Sequence, residues 1–398
     1  MTRQGFWLVA CVLAGAACQQ RAGSELWSYR RDGYGSDEMA TAVTTAANGD
    51  VYAAGYLDCK NGNPVFTVAA LNSSGEQRWL VTLDSLNTSG YSYSSHADGL
   101  ACDDAGNVYV TGYFKRRLTV VSLSTSGTLR WTYTLGSDSA IGQGLSVIVG
   151  ADGNIYATGQ SRDSGSGGGI AVVSLTPDGS ERWVCKRYAD CAYALAWGPD
   201  GNLYVAGELD TFGSAVLSLR PDGTERWTSG LSPERGYAVS LAFLDDGSVV
   251  AAGYVPAGGL TGGACVARFS ADGERLWTWQ QDYGNTWTQV MAAVAADDRG
   301  NAYYAGYTSN SFTVAQLTKD GQEQWLHTYG SGHSGVGSGQ AIAVAPTGEV
   351  YCAGSPDGVI TTAYEFSGDG SMLWSHSLGP CGARAMSAAW PSRRTGTS

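Results

Sequence analysis

Charge is scarce in this sequence: only 15% of its 398 residues are Asp, Glu, Lys or Arg. Positive charge is scarcest, with 24 Lys and Arg against 36 Asp and Glu and a formal net charge of −12. A nucleic-acid backbone would be repelled, so DNA and RNA are excluded as expected partners. Histidine is rarer still. The four residues His96, His327, His333 and His376 include no pair at a metal-ligand spacing such as HxxxH, and no zinc or other metal site is expected. No apolar run reaches the ~20 residues that a membrane-spanning helix needs; residues 6–17 are apolar and stop well short of it. No Gly-x-Ser-x-Gly elbow is present, and no two cysteines are adjacent. Glycine is abundant instead, at 56 residues, together with 13 Trp and 22 Tyr.

The apolar stretch follows a single Arg3 and ends in small residues and a cysteine, the pattern of a secretion signal. Ala14-Gly15-Ala16-Ala17-Cys18 resembles a bacterial lipobox, which would make Cys18 the lipidated first residue of the mature chain. Leu8-Val9-Ala10-Cys11 matches the lipobox letters better, but leaves too short an apolar core before the cut. An ordinary signal peptide with an incidental cysteine is the alternative. Gln19 after the cysteine suggests, by likeness to enteric lipoproteins, the outer membrane. The expected organisation is a signal peptide over 1–17, a tether over 18–25, a repeat domain over 26–380 and a tail over 381–398.

The repeat decides the fold. A Gly followed six residues later by another Gly, with apolar residues and usually Tyr between, starts at Gly49, Gly106, Gly153, Gly201, Gly247, Gly300 and Gly348. The spacing is that of solenoids and propellers. Each copy is followed by a Gly four residues before a Trp, from Gly75/Trp79 and Gly127/Trp131 to Gly370/Trp374. Six residues before each first Gly stands an apolar residue among small ones (Val43, Leu100, Val147, Leu195, Leu241, Val294, Ile342), which suits an innermost strand where space is short. Asp-Gly and Asn-Gly turns then join strands one to two and three to four. Each module therefore reads as four antiparallel strands, and the chain as an all-β, seven-bladed β-propeller.

These motifs resemble the seven-bladed β-propeller repeat family of secreted bacterial proteins, whose unit ends Asp-Gly-Asn-Val-Tyr-Val-Thr-Gly; Val108-Tyr109-Val110-Thr111-Gly112 matches it letter for letter. The resemblance spans roughly residues 27–380 and implies a fold, not an activity. A looser likeness is to the quinone-cofactor dehydrogenase propellers and the outer-membrane assembly lipoprotein propeller, which have eight blades and shorter modules. Ring closure stays open between these readings. An eighth Trp, Trp27 in SELWSYRR, competes with Trp374 for one edge of a seven-bladed ring, and residues 381–398 begin like a further inner strand before turning basic. They are a frayed end or a truncated eighth blade; eight blades is the less favoured count.

Catalytic constellations are wanting. The pairs Asp103-Asp104, Asp245-Asp246 and Asp297-Asp298 lack the ligand spacing of a calcium loop, and Asp is favoured there because its side chain bonds the turn backbone. SADGERLW fails the Asp-box pattern of sialidase propellers, its Trp277 lying four residues beyond Gly273. A quinone cofactor would need calcium held by several acidic and amide groups, so no cofactor is expected. The positions eight before each first Gly (Thr41, Asp98, Leu145, Tyr193, Val239, Ala292, Gln340) hold one carboxylate, which disfavours a catalytic channel. Cys185 and Cys191 flank KRYAD and are candidates for a disulfide clasping two blades; Cys352 reads as a core residue.

The uniform turns share one face of such a ring, and the variable connections the other, where binding function collects. That face would carry the candidate ligand-binding residues Tyr91, Tyr93, His96, Trp287 and His333, along with the basic spot Lys115-Arg116-Arg117. Aromatic, hydroxyl and amide groups suit a protein or carbohydrate ligand. The expectation is a monomeric, non-enzymatic cell-envelope lipoprotein, held to the membrane by its lipid alone. An envelope-assembly scaffold is the alternative, and a secreted propeller lyase or oxidoreductase the third reading.

Overall fold

The computed structural model describes residues 6–8, 29–31, 39–58, 64–83, 95–137, 140–162, 169–209, 213–232, 236–257, 261–282, 293–308, 311–330, 338–355, 360–380 and 387–388. Within them the chain forms seven four-stranded antiparallel units, strands pairing in sequence order from innermost to outermost. The second blade is representative: His96–Cys102, Val108–Phe114, Arg117–Leu123 and Leu129–Thr134. Its two middle strands are buried along almost their whole length, on both faces, while Leu129–Thr134 has no fully buried residue. Burial on both faces explains why the middle strands read as continuous apolar runs rather than alternating ones.

The blades pack face to face. One core cluster joins Tyr52, Phe66 and Val68 of the first blade to Leu100, Val110 and Val121 of the second, and another joins Tyr109 and Val120 to Val147 and Val173 of the third. Burying these faces supplies the main stabilisation of such a repeat array, because a single sheet cannot cover its own apolar surface.

Two glycines of the motif have distinct causes. The turn glycines, such as Gly106, adopt φ of +79°, which L residues rarely take. The second glycine, Gly112, is required by proximity: a Cβ there would lie 2.1 Å from the His96 carbonyl oxygen. That approach comes from a bulge in the innermost strand. Its register shifts between Ala97 and Gly99, leaving Asp98 as the extra residue. The same shift recurs around Thr41, Leu145, Tyr193, Val239 and Gln340.

The tryptophans latch each blade to the next. Trp131 Nε1 donates to the Pro177 carbonyl of the third blade at 2.9 Å, and a Cβ on that blade's turn glycine, Gly179, would meet the Trp131 ring at 2.6 Å. From Trp79 to Trp325, six outermost strands repeat this contact.

Blades three and four are joined without a loop. The single strand Glu181–Trp197 is outermost in one and innermost in the other. Cys185 and Cys191 both lie on it and both are free thiols, so the disulfide expected from their spacing does not form. Six residues of extended chain hold their Cα atoms about 20 Å apart if straight, well beyond the ~7 Å that a disulfide spans. Outside the seven blades, Ser387–Ala388 pairs in parallel with the innermost strand of the first, Met39–Thr45, and Tyr29–Arg31 pairs with Phe6–Leu8. No helix among the described residues is long and apolar enough to cross a membrane.

Candidate functional site

The innermost strands begin at the end of the ring that carries the variable connections, its mouth. His96 opens the second blade's innermost strand, with Tyr113 opposite it in register. The two rings stack at 5.3 Å and 17°, and Tyr56, from the corresponding position of the first blade, approaches His96 edge-on at 6.3 Å. Gln143 enters from the third blade. Its amide donates to Asp98 Oδ2 at 3.0 Å and lies 3.2 Å from His96 Nε2, which in turn sits 3.4 Å from Asp98 Oδ2.

The bulge sets this cluster's electrostatics, because it turns Asp98 into a confined position. Burial raises the Asp98 carboxyl to about 7, against the opposing pull of the Gln143 amide. Burial likewise lowers His96 below its ordinary value. Both shifts favour neutral forms. Near neutral pH the group is therefore a half-buried carboxyl, a neutral imidazole and an amide between two tyrosines, able to give and accept hydrogen bonds or to pair with a cation.

A second aromatic group spans the fourth and fifth blades, with Tyr237 and Tyr254 in the register of His96 and Tyr113. Tyr193, the bulge residue of the fourth blade, lies 5.7 Å from Tyr237 of the fifth, whose ring stacks on Tyr254 at 5.4 Å. Cys191 pairs with Glu208 beside it. Its thiol is pushed up to about 12, chiefly by burial, so it is protonated at neutral pH and no nucleophile.

Of the candidates from sequence, the structure places His96 in this mouth. Tyr91, Tyr93, Trp287 and His333 lie outside the described residues. Sequence reasoning missed Tyr56, Tyr113, Glu208 and Tyr254, although a signal was there: each directly follows the second glycine of its motif. Lys115 and Arg116 are the central residues of a tight hairpin turn at φ +49° and +62°, a conformation usually left to Gly or Asn.

The turn aspartates have a structural use. Asp152 accepts from the Tyr156 hydroxyl at 2.7 Å, and Arg182 donates to that hydroxyl and to Ser174. Asp200, Tyr204, Arg226 and Ser218 repeat the set. Among the described residues no three His, Cys, Asp or Glu side chains are grouped to hold a metal ion. Among the described residues the donor set around His96, one carboxyl and one amide, does not fit the several acidic ligands of a calcium-held quinone.

Comparison with known proteins agrees with the fold. No curated protein matches the chain. Among solved structures, the Dos1 propeller superposes with a TM-score of 0.62 at 10% identity, over 86% of this chain and 85% of that one. A protein from Lactobacillus plantarum gives 0.53 at 14% identity, over 84% and 97%. These likenesses bear on the fold alone. In sequence, residues 64–195 and 166–374 match the family of outer membrane protein assembly factor BamB, the likeness that the module length had ranked second. With most of its blades matched in this way, the chain belongs to the BamB family of β-propellers.

Proposed function

We propose that this protein is a non-enzymatic binding scaffold of the cell envelope, anchored through a lipid on Cys18, that holds a protein partner at the variable-loop end of its ring. The observation that carries the reading is the mouth cluster: tyrosines around a shielded carboxyl and imidazole, presented at the end where the connections vary. Tyrosine faces and a carboxyl suit the aromatic, aliphatic and basic side chains of a protein. The family name, an outer membrane protein assembly factor, supports an assembly role in the envelope. Against catalysis stand the protonated Cys191 thiol and the single carboxyl among the bulge positions.

A glycan ligand is the second reading, favoured by the stacked Tyr237 and Tyr254. Affinity capture from envelope extract distinguishes the two. The full chain is expected to retain a discrete protein that His96→Ala/Tyr113→Ala loses at least tenfold, while Tyr237→Ala/Tyr254→Ala weakens it less. Retention of glycan alone, lost in the second variant, would favour the glycan reading. Capture unchanged in both variants would remove the site from the mouth.

A further inference from the structure

Three partly buried aspartates of this protein each meet an arginine, and Asp98 meets none. Asp50, Asp152 and Asp200, whose side chains are 9%, 29% and 22% exposed, lie against Arg78, Arg182 and Arg226. In the last two sets the same guanidinium also donates to a tyrosine hydroxyl, that of Tyr156 or Tyr204. Asp98 is comparably enclosed, at 17% exposed, yet its ion-pair neighbour is His96 at 3.4 Å, and no Lys or Arg reaches it among the described residues. Its Oδ2 takes the Gln143 amide at 3.0 Å, while Oδ1 has no hydrogen-bond donor among the described residues. A confined carboxylate without a counter-charge is costly, and a cation brought from outside would relieve that cost.

The rings around the carboxyl suit one kind of cation. Tyr113 stacks on His96 at 5.3 Å and 17°, and Tyr56 meets the same imidazole edge-on. Tyr56, His96, Asp98, Tyr113 and Gln143 are all half-buried, so each keeps part of its surface open. We infer that Asp98, Gln143 and the flanking tyrosines form a seat for one guanidinium, the arginine side chain of the partner held at the mouth. A guanidinium is flat, stacks on aromatic faces and presents paired N–H donors to a carboxylate; an ammonium has no such face. The inference rests on the binding reading above and names the group that the partner presents. Seating requires the carboxylate, so the guanidinium displaces a proton from Asp98 to solvent. The titratable groups around Asp98 are His96 on its own strand, Tyr113 on the paired strand and Tyr56 on the first blade, while the third blade contributes the uncharged Gln143. Because Asp98 titrates at about 7, affinity should fall about tenfold from pH 8 to pH 6. His96, lowered by burial, brings its own positive charge to the seat at still lower pH and deepens the loss.

Calorimetric titration of the full chain tests it, with N-acetylargininamide as the probe and N-acetylcitrullinamide as its uncharged isostere. The arginine probe is expected to bind saturably at pH 8, about tenfold more weakly at pH 6, and at least tenfold more weakly to Asp98→Asn, whose melting curve verifies that it folds. The citrulline probe is expected not to bind. Equal binding of the two probes, an affinity unchanged by Asp98→Asn, or no binding of the arginine probe at either pH would overturn the inference. Capture from envelope extract separates its failure from that of the binding reading. A protein lost by His96→Ala/Tyr113→Ala but retained by Asp98→Asn would leave the mouth as the site and overturn the guanidinium seat. Binding of the arginine probe that depends on Asp98, with no protein captured, would support the seat and count against the partner.

Discussion

Asp98 shows how a single inserted residue sets the chemistry of the mouth. Because the bulge confines it, its carboxyl titrates at about 7 rather than in the usual carboxylate range. The folded protein then binds a proton that the unfolded chain has released, so stability falls as pH rises from about 4 to about 7, by about 1.4 kcal/mol per pH unit at most. Asp98→Asn keeps an acceptor for Gln143 and removes this dependence. Denaturant melts should find the variant more stable than the parent at pH 8 and close to it at pH 4.5; equal curves at both pH values would show that the carboxyl is not confined. His96 carries the opposite slope: burial lowers it, so the fold weakens as pH falls from the ordinary imidazole value towards that lowered one.

The cysteines give a second test at this scale. Cys185 and Cys191 are free, so alkylation of the unfolded, unreduced protein should label both. Protection of the pair until reductant is added would restore the disulfide that their spacing suggested.

At the level of the element, the motif that identifies the fold is explained by close approaches. Gly112→Ala places a methyl 2.1 Å from the His96 carbonyl oxygen, where the backbone of the innermost strand has to move, and should cost about 3 kcal/mol. Trp131→Phe keeps most of the ring packing and loses one rim hydrogen bond to Pro177, a loss of about 1 kcal/mol. Chemical denaturation of both variants checks the order, and a Gly112→Ala protein no weaker than Trp131→Phe would refute the account of the bulge.

These elements also mark what could be read in advance. The Tyr and Gly spacing shows seven repeats because the turn glycine recurs in all seven blades, while among the described residues the close approach recurs in five and the Trp latch in six. The bulge was not legible, since the extra residue differs in type at each blade (Thr41, Asp98, Leu145, Tyr193) and only its register reveals it. The Cys185–Cys191 expectation failed because it assumed a loop between blades three and four, where the chain stays extended. Tyr56 and Tyr113 each stand one residue past the second glycine of the motif, at a position whose residue type varies between blades, so that no repeat marks them.

For the whole molecule, the ring separates two ends of different character. One carries uniform turns whose aspartates are engaged by Tyr and Arg, as in Asp152 with Tyr156 and Arg182. Asp152 lies below its ordinary value: burial pulls it up, but Asn154, the Tyr156 hydroxyl and Arg182 outweigh that pull. Its contribution to stability is therefore present at neutral pH and lost as pH falls through that lowered value. The other end carries the mouth, with its tyrosines and the cluster of Asp98, His96 and Gln143. A binding scaffold of the envelope should use that second end. Site-specific photo-crosslinking in intact cells tests this most directly, with the crosslinker at Tyr113 on the mouth or at Ser126 on the uniform-turn end. The account predicts a discrete protein adduct from position 113 and none from position 126; adducts from position 126 alone, or from neither position, would contradict it.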